Sequence, residues 1–87
     1  MKGTGAATVI EHELRELKGQ PYQTIRDLIG HPLSKRVLGV DGAPYNVEIV
    51  AAWDDKPEGA IRVMVSVDNG GWRAFFPLTD SVLIQRG

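Results

Sequence analysis

The chain has 87 residues, 43% apolar and 24% charged, with a formal net charge of −1 and no cysteine. That length supports one modest core, burying roughly 60–65% of the surface the unfolded chain exposes, and leaves no room for a second domain. The missing cysteines exclude disulfides, thiolate catalysis and cysteine zinc sites. The charge is graded: residues 1–40 carry six basic and four acidic groups, residues 41–87 four basic and seven acidic ones, and neither half has the balance of a polyanion-binding surface. The longest unbroken apolar run, Ile49–Trp53, falls far short of the roughly 20 residues of a membrane helix. With no signal-peptide pattern at the N-terminus, the expected location is cytoplasmic.

Residues 1–7, with two glycines and no large apolar side chain except Met1, read as a flexible tail. Thr8-Val9-Ile10-Glu11 fits a capping box, in which Thr8 accepts from the backbone of Glu11 and the Glu11 carboxylate reaches back. The helix it opens runs to about Lys18 and stops at Gly19, with Ile10, Leu14 and Leu17 on one side. A second helix is expected over 22–29, between Pro21 and Gly30, with Ile25, Leu28 and Ile29 as its apolar side.

From Val37 onward the period changes to two. Val37–Val40 reads as a short strand, and Asp41-Gly42-Ala43-Pro44 as the turn after it. Next, Tyr45, Val47, Ile49, Ala51 and Trp53 alternate with Asn46, Glu48, Val50 and Ala52. Ile61, Val63, Val65 and Val67 then alternate with Arg62, Met64, Ser66 and Asp68. Trp72, Ala74 and Phe76 alternate with Arg73 and Phe75 in a third segment. Asn69-Gly70 is a preferred pair for a two-residue type I′ hairpin, which sets Val67 opposite Trp72, Ser66 opposite Arg73, Val65 opposite Ala74, Met64 opposite Phe75 and Val63 opposite Phe76. After Pro77, Leu78-Thr79-Asp80 has turn character and residues 81–85 read as a last short strand. The expected architecture is α+β, one or two N-terminal helices packed on a four- to five-stranded antiparallel β-meander. Its core joins Ile10, Leu14, Leu17, Ile25 and Leu28 to the odd-numbered strand positions and to Trp72, Ala74 and Phe76.

Motifs that carry chemistry are scarce. His12-Glu13-Leu14-Arg15-Glu16 partly echoes the H-E-x-x-H zinc helix, but its last position is Glu16 rather than a second imidazole, which reads as solvated helix surface. Asp54, Asp55 and Glu58 crowd one loop, at an end of the sheet expected to receive Asp80 as well. A hard cation wants more oxygens at another spacing, and Lys56 sits among them. Gly39, Gly42, Gly70 and Gly71 lack the phosphate-loop spacing and read as turn glycines. Ser34-Lys35-Arg36, with Arg26 and His31 nearby in sequence, is the only basic cluster and reads as a solvated connector. No catalytic residue, cofactor or metal site is assigned.

The second face of the sheet is the feature to explain. If Trp53 faces Ile61 across the loop, Val50 faces Met64, and Met64 faces Phe75, giving an apolar row between Glu48, Ser66, Arg73 on one side and Ala52, Arg62 on the other. A helix is one cover for that row; another molecule is the second. The functional expectation is a non-catalytic protein-protein interaction module, homodimerising through this face, with Glu48, Val50, Arg62, Met64, Arg73 and Phe75 as binding residues. The alternatives are a single-stranded nucleic-acid-binding domain that uses Arg62, Arg73 and Phe75 for charge and stacking, and, last, a small enzyme or metal-binding protein.

Overall fold

A computed structural model of the chain describes residues 5–69 and 78–86. Its elements are α1 (Gly5–Lys18), α2 (Tyr22–Arg26), β1 (Leu33–Leu38), β2 (Pro44–Trp53), β3 (Ile61–Asp68) and β4 (Leu78–Ile84). The strands make one antiparallel sheet in the order β1-β2-β3-β4, the expected α+β meander.

The β2–β3 hairpin has the expected register. Trp53 faces Ile61, Ala52 faces Arg62, Val50 faces Met64 and Glu48 faces Ser66. Before it, residues 39–43 join β1 to β2, with Gly39 and Ala43 paired across the three-residue loop Val40, Asp41 and Gly42. Gly39 donates to the Ala43 carbonyl at 2.8 Å, Gly42 donates back to Gly39 at 3.0 Å, and Gly42 takes φ +80°. This is a type I turn closed by a left-handed residue, a common three-residue hairpin loop that glycine adopts without steric cost.

The other side of β3 differs from expectation. There β4 pairs with every residue from Ile61 to Val67, placing Met64 opposite Ser81, Ser66 opposite Thr79 and Val67 opposite Leu78. Both edges of β3 are therefore occupied, by β2 on one side and by β4 on the other. An Asn-Gly register brings Pro77 opposite Arg62, and proline, having no N–H, ends a ladder there. β4 instead continues the ladder to Ile61. Trp72, Arg73, Ala74, Phe75 and Phe76 themselves lie outside the described residues.

The helices also shift from their expected bounds. α1 begins at Gly5, so Thr8 lies inside the helix rather than capping it, and residues 5–7 belong to the fold, with Ala6 2% exposed. The buried stripe of α1 is Ala6, Val9, Ile10, Glu13 and Leu17, while Leu14 is only half-buried. α2 ends at Arg26, and the chain continues to Gly30 in tighter turns, Ile25 to Leu28 and Arg26 to Ile29. One face of the sheet supplies the core: Tyr45, Val47, Ile49 and Ala51 from β2 and Ile61, Val63, Val65 and Val67 from β3 are buried against α1 and Ile25 of α2. Leu78 and Val82 of β4 take the positions expected for Trp72 and Phe76 opposite Val67 and Val63, Asp80 takes that of Ala74 opposite Val65, and Ile84 extends the face opposite Ile61.

Where the β1–β2 hairpin meets α1, Tyr45 is 7% exposed and its hydroxyl donates to Asp41 Oδ2 at 2.8 Å, while Asp41 Oδ1 accepts from Ala43 N–H at 3.1 Å. Gly5 and Gly39 both lie against this pair, and a Cβ on Gly39 would stand 2.6 Å from Tyr45 Cε2. Gly39→Ala is expected to cost about 1–3 kcal/mol, because the ring or the hairpin must move. For a domain of this size each kcal/mol lowers Tm by about 4–8 °C, so a thermal melt reads it directly; an unchanged Tm would contradict the packing.

Candidate functional site

Strict alternation sends every second residue of the meander to the face opposite the core. Both helices lie on the core face: α1 packs on β3 and β4, and α2 lies near the Trp53 end, with Arg26 5.9 Å over the Trp53 ring. Among the described residues, no helix covers the outer face. The register divides that face in two. Toward the β2–β3 loop the rows are Val50-Met64-Ser81 and Ala52-Arg62-Leu83. Toward the other end they are Ser34-Glu48-Ser66-Thr79 and Arg36-Asn46-Asp68.

The two halves differ chemically. In the polar half, Asn46 donates to Asp68 at 3.0 Å and the hydroxyls of Ser66 and Thr79 meet at 3.3 Å, so cross-strand neighbours already satisfy one another. In the apolar half, Met64 is 38% and Leu83 36% exposed, with Val50 half-buried opposite Met64. Arg62 borders them, its Nε donating to Asp54 at 2.8 Å and its Nη1 reaching Ser81 Oγ at 3.4 Å. Of the six expected binding residues, Glu48, Val50, Arg62 and Met64 share this face. Arg73 and Phe75 lie outside the described residues, and the third member of the Val50-Met64 row is Ser81. Leu83 completes the apolar half and was hidden in sequence, because its contribution depends on β4 being β3's neighbour.

The other sequence candidates are dispersed or engaged. His12 and Glu16 are exposed on α1, and no group of three potential metal ligands occurs among the described residues. In the acidic loop Asp54 is tied to Arg62, and Glu58 to the Arg26 guanidinium, whose Nε donates at 3.0 Å. Asp80 is not at that end of the sheet. It pairs opposite Val65, roughly 13 Å along the strand from Ile61 at about 3.3 Å per residue. The basic cluster separates as well, with Lys35 on Glu13 and Arg26 on Glu58. What gathers around Glu58 is a latch. Tyr22 donates its hydroxyl to the Gly59 carbonyl at 2.6 Å, Arg86 donates to the Glu58 carbonyl at 2.9 Å, and Arg86 lies 5.9 Å over the Tyr22 ring. Glu58 itself has φ +68°, an uncommon left-handed conformation for a side-chain-bearing residue, held by these contacts.

Sequence reasoning missed the pair Glu13–Lys35. Glu13 falls in the buried stripe of α1, its side chain 6% exposed, and Lys35 Nζ on β1 meets it at 2.8 Å with 42% of its own side chain exposed. No spacing rule links a helix to a strand in this way, although an acidic residue in the apolar phase of α1 was a visible irregularity.

No protein-family model, curated protein or solved structure matches the chain. Among the described residues no helix is long and apolar enough to cross a membrane.

Two stability experiments follow from the ion pairs. Removing Lys35 strands a buried carboxylate, whereas removing Glu13 leaves an ammonium that turns into water. Lys35→Met is therefore expected to destabilise by about 1–3 kcal/mol and Glu13→Leu by less; urea unfolding that reverses this order would contradict the asymmetry. The Arg26 hydrogen bond holds the Glu58 carboxyl below the usual carboxylate range, and the Tyr45 hydroxyl does the same for Asp41. Carboxylates depressed in the fold contribute stability above their unfolded pKa and lose it as pH falls through the folded one. Thermal melts are thus expected to be flat near neutrality and to fall below about pH 4.3, with Glu58→Gln showing a shallower acid slope. An equal slope in that variant would contradict the Arg26–Glu58 linkage.

Proposed function

We propose that the protein is a non-catalytic interaction module whose outer sheet face binds a second copy of the chain. The observation that carries this reading is the division of that face: in its polar half Asn46 bonds to Asp68 and Ser66 to Thr79 across the strands, while Val50, Ala52, Met64 and Leu83 form an apolar half that no described helix covers. Methionine and leucine beside a charged rim suit an interface core, and a two-fold contact reuses one patch on both subunits.

Four strands about 4.8 Å apart and about eight residues long present roughly 500 Å². Two copies then bury on the order of 1,000 Å², the lower bound for a specific interface. A reversible dimer fits this area better than a permanent one. The charge pattern agrees less well with nucleic acid, because Arg62, the described basic residue in the apolar half, is spent on Asp54.

Sedimentation over a wide concentration range tests the reading. The expected result is a monomer–dimer equilibrium that Met64→Asp weakens at least about tenfold, a loss of about 1.4 kcal/mol, with the thermal midpoint nearly unchanged. A protein monomeric at every concentration removes the proposal, as does a Met64→Asp variant that dimerises like the parent.

A further inference from the structure

The sheet has a second feature that no described strand covers, the outer edge of β1. Gly39 and Ala43 form a hydrogen-bonded pair, and antiparallel ladders alternate bonded with non-bonded pairs. Leu38–Pro44, Arg36–Asn46 and Ser34–Glu48 are therefore the non-bonded pairs of the β1–β2 ladder. Pro44, with no N–H to give, fits that phase. The backbone N–H and C=O groups of Ser34, Arg36 and Leu38 consequently point away from β2, and among the described residues no strand lies beyond them.

Sheet edges are commonly blunted by an inward charge, a proline or a covering element. β4, at the opposite edge, carries Asp80 among its core-facing positions and has α1 against it. β1 is different. Its core-facing charge, Lys35, is neutralised by Glu13, and it has no proline between Leu33 and Leu38. Of the five large apolar side chains exposed among the described residues, three belong to this strand and its turn: Leu33 at 42%, Leu38 at 75% and Val40 at 80%. Beside the core-facing side of β1 runs a groove of about 290 Å³ toward α1 and α2, lined in part by Leu17, Leu28 and Leu33.

We propose that β1 docks an extended acidic-apolar peptide as one more antiparallel strand. The outward amides and carbonyls supply main-chain hydrogen bonds, and the alternating side chains supply selectivity. On the outer face Arg36 is exposed and makes no side-chain hydrogen bond or ion pair among the described residues, which calls for an acidic residue opposite it. Apolar residues opposite Val37 and Leu33 enter the groove side, and one opposite Leu38 covers its exposed side chain. A second copy is a poorer occupant: the self-pairing that uses all three outward residues sets Arg36 against Arg36, a destabilising like-charge pair. This docking does not rest on self-association through the outer face.

The probe is the blocked hexapeptide Ile-Val-Glu-Val-Thr-Leu, with a control in which Glu is replaced by Lys, titrated against isotopically labelled protein and followed by amide chemical shifts and hydrogen exchange. Expected are saturable shifts and new protection at Ser34, Arg36 and Leu38, with the Glu peptide bound about fivefold more tightly than the Lys peptide. Arg36→Glu should reverse that preference. Arg36→Pro should abolish binding yet keep the fold, because the N–H it removes is not in the β1–β2 ladder; Met64→Asp should leave binding intact. The proposal is overturned by absence of binding, by equal affinity for the two peptides, by shifts centred on Val50, Met64 and Leu83, or by a β1-mediated dimer that Arg36→Pro dissolves.

Discussion

The constraint on which the rest of the structure depends is the double occupancy of β3. Ile61, Val63, Val65 and Val67 are all 0% exposed, and the strand is paired along both edges. Four consecutive β-branched residues at period two suit a pleated surface with one dry side, and a slip of one residue would place all four in water. Register is thereby fixed on both neighbours, and with it the composition of the opposite face, since Arg62, Met64, Ser66 and Asp68 have nowhere else to point. The outer face is a consequence of how the core is built.

Coverage of the core face is uneven, and this asymmetry creates the second surface. A 14-residue helix and a five-residue one stand over four strands. α1 lies on β3 and β4, and the Tyr22, Arg26 and Arg86 contacts draw α2 to the β2–β3 loop. β1 is left with a groove rather than a roof. At that boundary the fold places an ion pair, Glu13 on the dry side and Lys35 half in solvent. A charge pair at a half-wet seam avoids the desolvation cost of a fully buried one, and the lysine stem covers apolar surface while its ammonium remains hydrated.

How much of this could be read from sequence depended on the range of the signal. The β2–β3 hairpin was legible in full, because loop closure and alternation at Trp53 and Ile61 select the same register. The identity of β3's other neighbour was not. Asn69-Gly70 is a strong local turn signal, but the choice between residues 72–76 and 78–84 is a competition between whole ladders, and Pro77 marks where one of them would stop. Helix α1 was legible as a helix, yet its start was placed at Thr8 because a capping box is a local pattern. The burial of Gly5 and Ala6 against the hairpin that carries Tyr45 and Asp41 is tertiary. Of the candidate site, the residues on β2 and β3 were legible, whereas Leu83 and the Glu13–Lys35 pair required knowledge of which elements meet.

The two surfaces occupy different ends of the molecule, for a geometric reason. In register, the outward backbone of β1 at Ser34, Arg36 and Leu38 aligns with Glu48, Asn46 and Pro44, whereas the apolar half of the outer face begins at Val50 and runs through Ala52 to the β2–β3 loop. β1 begins at Leu33, opposite Ile49, and Ile29 takes its place beside β2 at Ala51. The outward ladder of β1 thus ends just as the apolar rows start. The apolar side-chain surface and the outward backbone of β1 are separated along one sheet, and the strand that lies between them, β2, is paired on each side and held by the core.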